Sequence, residues 1–106
     1  MKLKDLLKKD ELKLLTDGNN IDIEYSDIYI GDLLSWVMGK GKTKAIWLTV
    51  LTHQNIIAVA SLREFSAIVI CEGAKVEGEL ISLANREGIN IFTSSLPIYE
   101  TSKLIA

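Results

Sequence analysis

Three apolar, β-branched runs of strand length begin at Ala45, Ala67 and Ile89, about 22 residues apart, and a segment of helical length follows each. No other feature constrains the chain as much. Strands that are apolar on both faces must be covered on both faces, and a strand–helix repeat supplies that cover through the right-handed crossovers of a mostly parallel sheet. The pattern predicts strand Ala45–Leu51 with helix Gln54–Glu64, strand Ala67–Cys71 with a helix from about Val76 to Arg86, and strand Ile89–Thr93 with a last helix from about Leu96 to Ile105. Gly88 suits the left-handed position that ends a helix, and Pro97, the only proline, suits a helix start.

The first forty residues are less regular. Leu3, Leu6 and Leu7 stand at i, i+3 and i+4, the seam of a short amphipathic helix. Leu12–Thr16 reads as a short strand stopped by Asp17-Gly18-Asn19-Asn20. Ile21–Ile30 alternates, slips by one residue and alternates again, as one irregular strand or two short ones. Gly31-Asp32 then opens a helix to about Gly39, with Asp32 as N-cap or first-turn acid. Leu33, Leu34, Trp36, Val37 and Met38 cover almost its whole circumference, so this helix is expected to be buried on most sides, one of them against another subunit. The expected fold class is α/β: a three-layer α/β/α domain with a small, mostly parallel sheet, taking up residues 1–106 as one domain.

Composition excludes several functions. Twelve basic residues against fourteen acidic ones provide no electrostatic footprint for nucleic acid. Lys2, Lys4, Lys8 and Lys9 are diluted by Asp5, Asp10 and Glu11, as on a solvated helix face. The start lacks the apolar stretch of a signal peptide and no run is long enough to span a bilayer, so a soluble cytoplasmic protein is expected, without membrane partners. The single cysteine, Cys71, permits no intrachain disulfide and no four-thiolate metal site, in keeping with a reducing compartment.

Gly41-Lys42-Thr43 imitates the end of a phosphate-binding P-loop, but the motif needs glycine where Trp36 stands, and a strand before the loop with a helix after it. Here the order is reversed, and Gly39–Lys44 reads as a flexible, solvated helix-to-strand connection. A subtler signal is polar chemistry just past the strands: Thr52-His53-Gln54-Asn55, Glu72-Gly73 and Thr93-Ser94-Ser95. In an open parallel sheet these ends share one edge, where helix N-termini and hydroxyls can hold a small anionic or nucleotide-like ligand. Helix capping accounts for the same residues without any ligand: Thr52 with Asn55 resembles a capping box, and Ser95 precedes Leu96-Pro97 as an N-cap. His53, the sole histidine, has no metal-binding partner, and its pairing with Cys71 for nucleophilic catalysis lacks an orienting third group. No catalytic residue, metal or cofactor is expected.

Asp32-Leu33-Leu34-Ser35-Trp36-Val37-Met38-Gly39 resembles the segment that follows the signature of DRTGG domains. The resemblance continues through Thr52–Ala60, Ile68–Gly73 and Gly88–Ser95, so that it spans about residues 20–105. The namesake positions depart from it. Asp22-Ile23 and Ser26-Asp27-Ile28 retain the aspartate and a hydroxyl but neither the arginine nor the two glycines. The resemblance implies a fold similar to the non-catalytic N-terminal domain of HPr kinase/phosphorylase, and a role in regulation and self-association. The leading expectation is therefore a regulatory module that homodimerises through the helix bearing Leu33, Trp36, Val37 and Met38. The alternative is a small-ligand sensor, for an adenine nucleotide among others, using Thr52, His53, Asn55, Ser94 and Ser95.

Overall fold

A computed structural model describes all residues, Met1–Ala106. Four parallel strands, β2 (Asp27–Ile30), β3 (Ala45–Thr49), β4 (Ala67–Ile70) and β5 (Ile91–Ser94), lie side by side in chain order. A three-residue strand, β1 (Leu12–Leu14), pairs antiparallel with β5 and completes the sheet order β1-β5-β4-β3-β2. Helices α1 (Leu34–Lys40), α2 (Asn55–Arg63) and α3 (Gly78–Glu87) join the parallel strands. Because strand order never reverses from β2 to β5, right-handed crossovers put all three helices on one face. A 3₁₀ helix (Leu3–Lys8) and α4 (Ile98–Ile105) cover the other. This is the expected three-layer architecture.

Two apolar cores follow from the two-residue period of the strands. Trp47, Ile68, Ile70 and Ile91 point toward α1–α3, where they meet Val37, Ile56, Ala60, Leu80 and Ala84. Ile46, Leu48, Val69 and Phe92 point the other way, onto Leu3, Leu6, Tyr25 and Ile105. Tyr25 donates its hydroxyl to the Ile105 carbonyl at 2.7 Å, which satisfies a polar atom in that second core. No helix is long and apolar enough to cross a membrane.

Several local expectations are corrected. Leu3 and Leu6 are buried while Leu7 is exposed, because a 3₁₀ helix repeats every three residues and cannot add an i+4 position to its seam. Ile21–Ser26 is largely outside the ladder; it runs along the N-terminal segment, with Leu3 N–H donating to Ile23 O and Tyr25 N–H to Met1 O. Gly39–Lys44 is no flexible tether. Gly41 is buried, its carbonyl accepts from Arg63 Nε (3.2 Å) and Nη2 (2.8 Å), and a Cβ there would lie 2.4 Å from Phe65 Cζ. Glycine is required at this position by the close approach of Phe65, not by phosphate. Gly88 does end α3 in the left-handed conformation, at φ 72°.

Candidate functional site

The carboxyl ends of β2–β5 share one edge of the sheet, where ligands of open α/β folds usually dock. The loop after β4 leads to α3 on one face and the loop after β5 leads to α4 on the other, so a crevice would open between β4 and β5. In this chain it is closed by backbone. Glu72 N–H donates to Leu96 O at 2.9 Å and Gly73 N–H to Ser94 O at 3.0 Å. Glu72 and Gly73 are both left-handed (φ 66° each) and Ala74 N–H bonds Cys71 O, the geometry of a tight primed turn that aims these amides at the neighbouring loop.

Ser94 is consumed in the same closure. Its buried Oγ accepts from Leu96 N–H at 3.1 Å and lies 2.8 Å from Thr101 Oγ1. Thr101 Oγ1 donates to Pro97 O at 2.9 Å, which makes Ser94 the donor of that hydroxyl pair and leaves neither group for a ligand. Ser95 is exposed and does not cap α4, whose N-cap position is Pro97; the side-chain acceptor for this turn is Ser94. The expected Thr52–Asn55 capping box is likewise absent. His53 Nδ1 accepts from Asn55 N–H at 3.1 Å, so an imidazole supplies the acceptor expected from the Thr52 hydroxyl.

Thr52 and His53 line a cleft of about 410 Å³ with Gln54, Glu77, Glu79 and Leu80, between the loop after β3 and the start of α3. Asn55 lies outside this lining, and so do Ser94 and Ser95. The five expected ligand residues therefore do not converge, and the two carboxylates of Glu77 and Glu79 face any phosphate that enters beside Thr52 and His53. Larger hollows of about 590 and 520 Å³ lie elsewhere. The first is lined by residues that include Met1, Tyr25 and Ile105, the second by residues that include Lys44, Glu64 and Ser66.

Cys71 is buried, and its Sγ donates to Val69 O at 3.6 Å. Burial pushes the thiol pKa up, away from the thiolate a nucleophile needs. His53 is exposed and bonded to Asn55, so the two do not form a catalytic pair. No group of three or more His, Cys, Asp or Glu side chains is placed to hold a metal ion.

Asp32 has a role that sequence reasoning misassigned. It does not cap α1, whose N-cap is Leu33. Its Oδ1 accepts from Thr49 Oγ1 at 2.5 Å and from Val50 N–H at 3.0 Å, while Leu51 N–H bonds Thr49 Oγ1. The carboxylate thus ties the end of β2 to the loop leaving β3. An aspartate directly after a strand-ending glycine was the available signal for this role.

The α1 helix is covered on one side only. Val37 is wholly buried in its own chain's core, and Leu34 and Met38 pack partly against that core. Val37 is therefore spent on intrachain packing, a correction to the expected interface set, whereas Met38 is only partly so. Leu33 is 60% exposed and Trp36 59%, and Ile30 at the end of the neighbouring edge strand is 49% exposed. Lys40 Nζ sits 5.3 Å above the Trp36 ring.

No family model and no curated protein matches the sequence. Among solved structures, the chain is similar to the crystal structure of the CBS and DRTGG domains of the regulatory region of Clostridium perfringens pyrophosphatase, complexed with its activator, diadenosine tetraphosphate. The TM-score is 0.76 at 16% identity, over 98% of this chain and 45% of that one, so this chain spans less than half of its structural neighbour. The likeness shows a DRTGG-like α/β fold.

Proposed function

We propose that this chain is a non-catalytic regulatory domain that acts in the cytoplasm by self-association, with Leu33 and Trp36 of the α1 segment at the centre of the contact. One observation carries the reading: a tryptophan and a leucine stand more than half exposed on a helix whose opposite side is sealed into the core. Large apolar side chains in one exposed patch mark interaction surfaces, and tryptophan is the residue type that most often dominates them. The likeness to a regulatory region, and not to a catalytic domain, supports the same class of role. So does the side-chain chemistry, which offers a protonated buried thiol and a histidine already engaged in helix capping.

Sedimentation velocity across a concentration series tests this. The wild-type chain is expected to be dimeric at high micromolar concentration and Trp36→Glu monomeric; a wild-type monomer throughout that range would refute the proposal.

A second reading is a nucleotide sensor, favoured by the diadenosine tetraphosphate bound in the structural neighbour. In this chain the ligand would lie against Thr52 and His53 in the cleft beside α3, with Asn55 at its margin. Glu77 and Glu79 weigh against phosphate there, and the closed β4–β5 crevice removes Ser94. Thermal shift separates the two readings, because a ligand at a hundred times its dissociation constant stabilises the fold by about 2.7 kcal/mol. No shift with adenine mono-, di-, tri- and dinucleotides would dismiss the sensor.

A further inference from the structure

We infer that two copies of this chain join their sheets through β2, antiparallel and about a twofold axis, to make one continuous ten-stranded sheet, twice the five strands of one chain. The inference rests on the self-association proposed above and says which backbone completes it. β2 is an edge strand, hydrogen-bonded to β3 alone. Gly31 N–H donates to Leu48 O in the parallel register of β2 with β3, so by the two-residue period Asp27, Tyr29 and Gly31 direct their backbone groups at β3. The amides and carbonyls of Ile28 and Ile30 then face the open edge.

Edge strands are ordinarily protected by lysine, proline, a bulge or a covering element. The sequence Asp27-Ile28-Tyr29-Ile30 contains neither lysine nor proline, and its register with β3 is unbroken over all four residues. Nothing in the chain covers it.

The occupant that fits is a second copy, because the charges around this edge complement themselves. Lys40, Lys42 and Lys44 are exposed where α1 ends and β3 begins, while Asp32 is exposed at the opposite, carboxyl end of β2. An antiparallel twofold sets the lysine-bearing end of one copy beside Asp32 of the other. It also runs the two α1 helices past each other, so that Leu33 and Trp36 meet their counterparts on the same face. A parallel or heterologous arrangement would align lysines with lysines or leave the apolar patch half covered.

Amide hydrogen exchange of the full chain tests this, comparing wild type at a concentration where it is dimeric with the Trp36→Glu variant. The Ile28 and Ile30 amides are expected to exchange at least about tenfold more slowly in the dimer, as ladder amides do. Ile30→Pro removes one outward donor and no bond to β3, and is expected to weaken the dimer about tenfold without lowering the melting temperature of the monomer. A dimer in which Ile28 and Ile30 exchange as fast as in the variant would overturn strand pairing and leave self-association through α1 standing. A chain that never dimerises would overturn both.

Discussion

The two edges of the sheet are built in opposite ways. At the β1 edge the strand is three residues long, antiparallel, and carries the exposed Lys13 at its centre. Lys8, Lys9, Asp10 and Glu11 precede it and the 3₁₀ helix packs beside it. At the β2 edge the strand is longer, aligned without a break, apolar at three of its four positions, and flanked by a helix that shows Leu33 and Trp36 to solvent. Short charged edges resist pairing with other chains; flat apolar ones invite it. One edge of this fold is finished within the chain, and the other is complete only with something beside it.

The contrast is broken most directly at Trp36. Trp36→Glu is expected to raise the dimer dissociation constant at least about thirtyfold, the scale of a ~2 kcal/mol hot spot, whereas Lys13→Glu at the finished edge leaves it unchanged. Equal effects of the two changes by sedimentation would erase the distinction between the edges. Next comes the support beneath α1. Gly41→Ala drives a methyl into Phe65 and against Val37 O and is expected to cost about 1–3 kcal/mol in urea unfolding, with self-association weakened because α1 loses its seat. An unchanged unfolding midpoint would mean that this connection yields where the packing says it cannot.

Smaller effects sharpen the comparison. Asp32→Ala frees Thr49 Oγ1 and Val50 N–H from their shared acceptor, and is expected to cost about 1–2 kcal/mol of stability and to loosen the carboxyl end of the open edge. Exchange rates of the Val50 amide report it; a rate like that of wild type would show the bond to be idle. The smallest effect lies at the N-terminal segment. Lys2 Nζ, 2.9 Å from Asp22 and with Lys4 at 3.5 Å, holds the Asp22 carboxyl below its ordinary value near 3.8. A depressed carboxyl adds stability above its unfolded pKa and loses it as pH falls through the lower folded value. Asp22→Asn should therefore lower the melting temperature slightly at neutral pH and flatten its decline below pH 3.8, so that the two curves of melting temperature against pH converge in acid.

The strands that carry this fold were readable because each is continuous, apolar and β-branched, and because helices recur between them at a constant interval. Ala45, Ala67 and Gly88 all stand at or beside the boundaries their types imply. What could not be read depends on distant partners. Gly41 looked like a loop residue because Phe65 and Arg63, which bury it, come from the far end of α2. Ser94 and Thr52 looked equivalent as strand-end hydroxyls. Ser94 is closed in by Thr101 on the second face, while Thr52 is superseded by its own neighbour His53. Trp36 and Val37 are adjacent and both apolar, and only the direction of α1 against the sheet decides that one is core and the other surface.

Backbone amide chemical shifts recorded from low to high micromolar concentration test the central claim most directly. Concentration-dependent changes confined to residues 27–40, with Leu12–Leu14 unmoved, are the predicted result. Changes centred on Leu12–Leu14, or none anywhere, would contradict it.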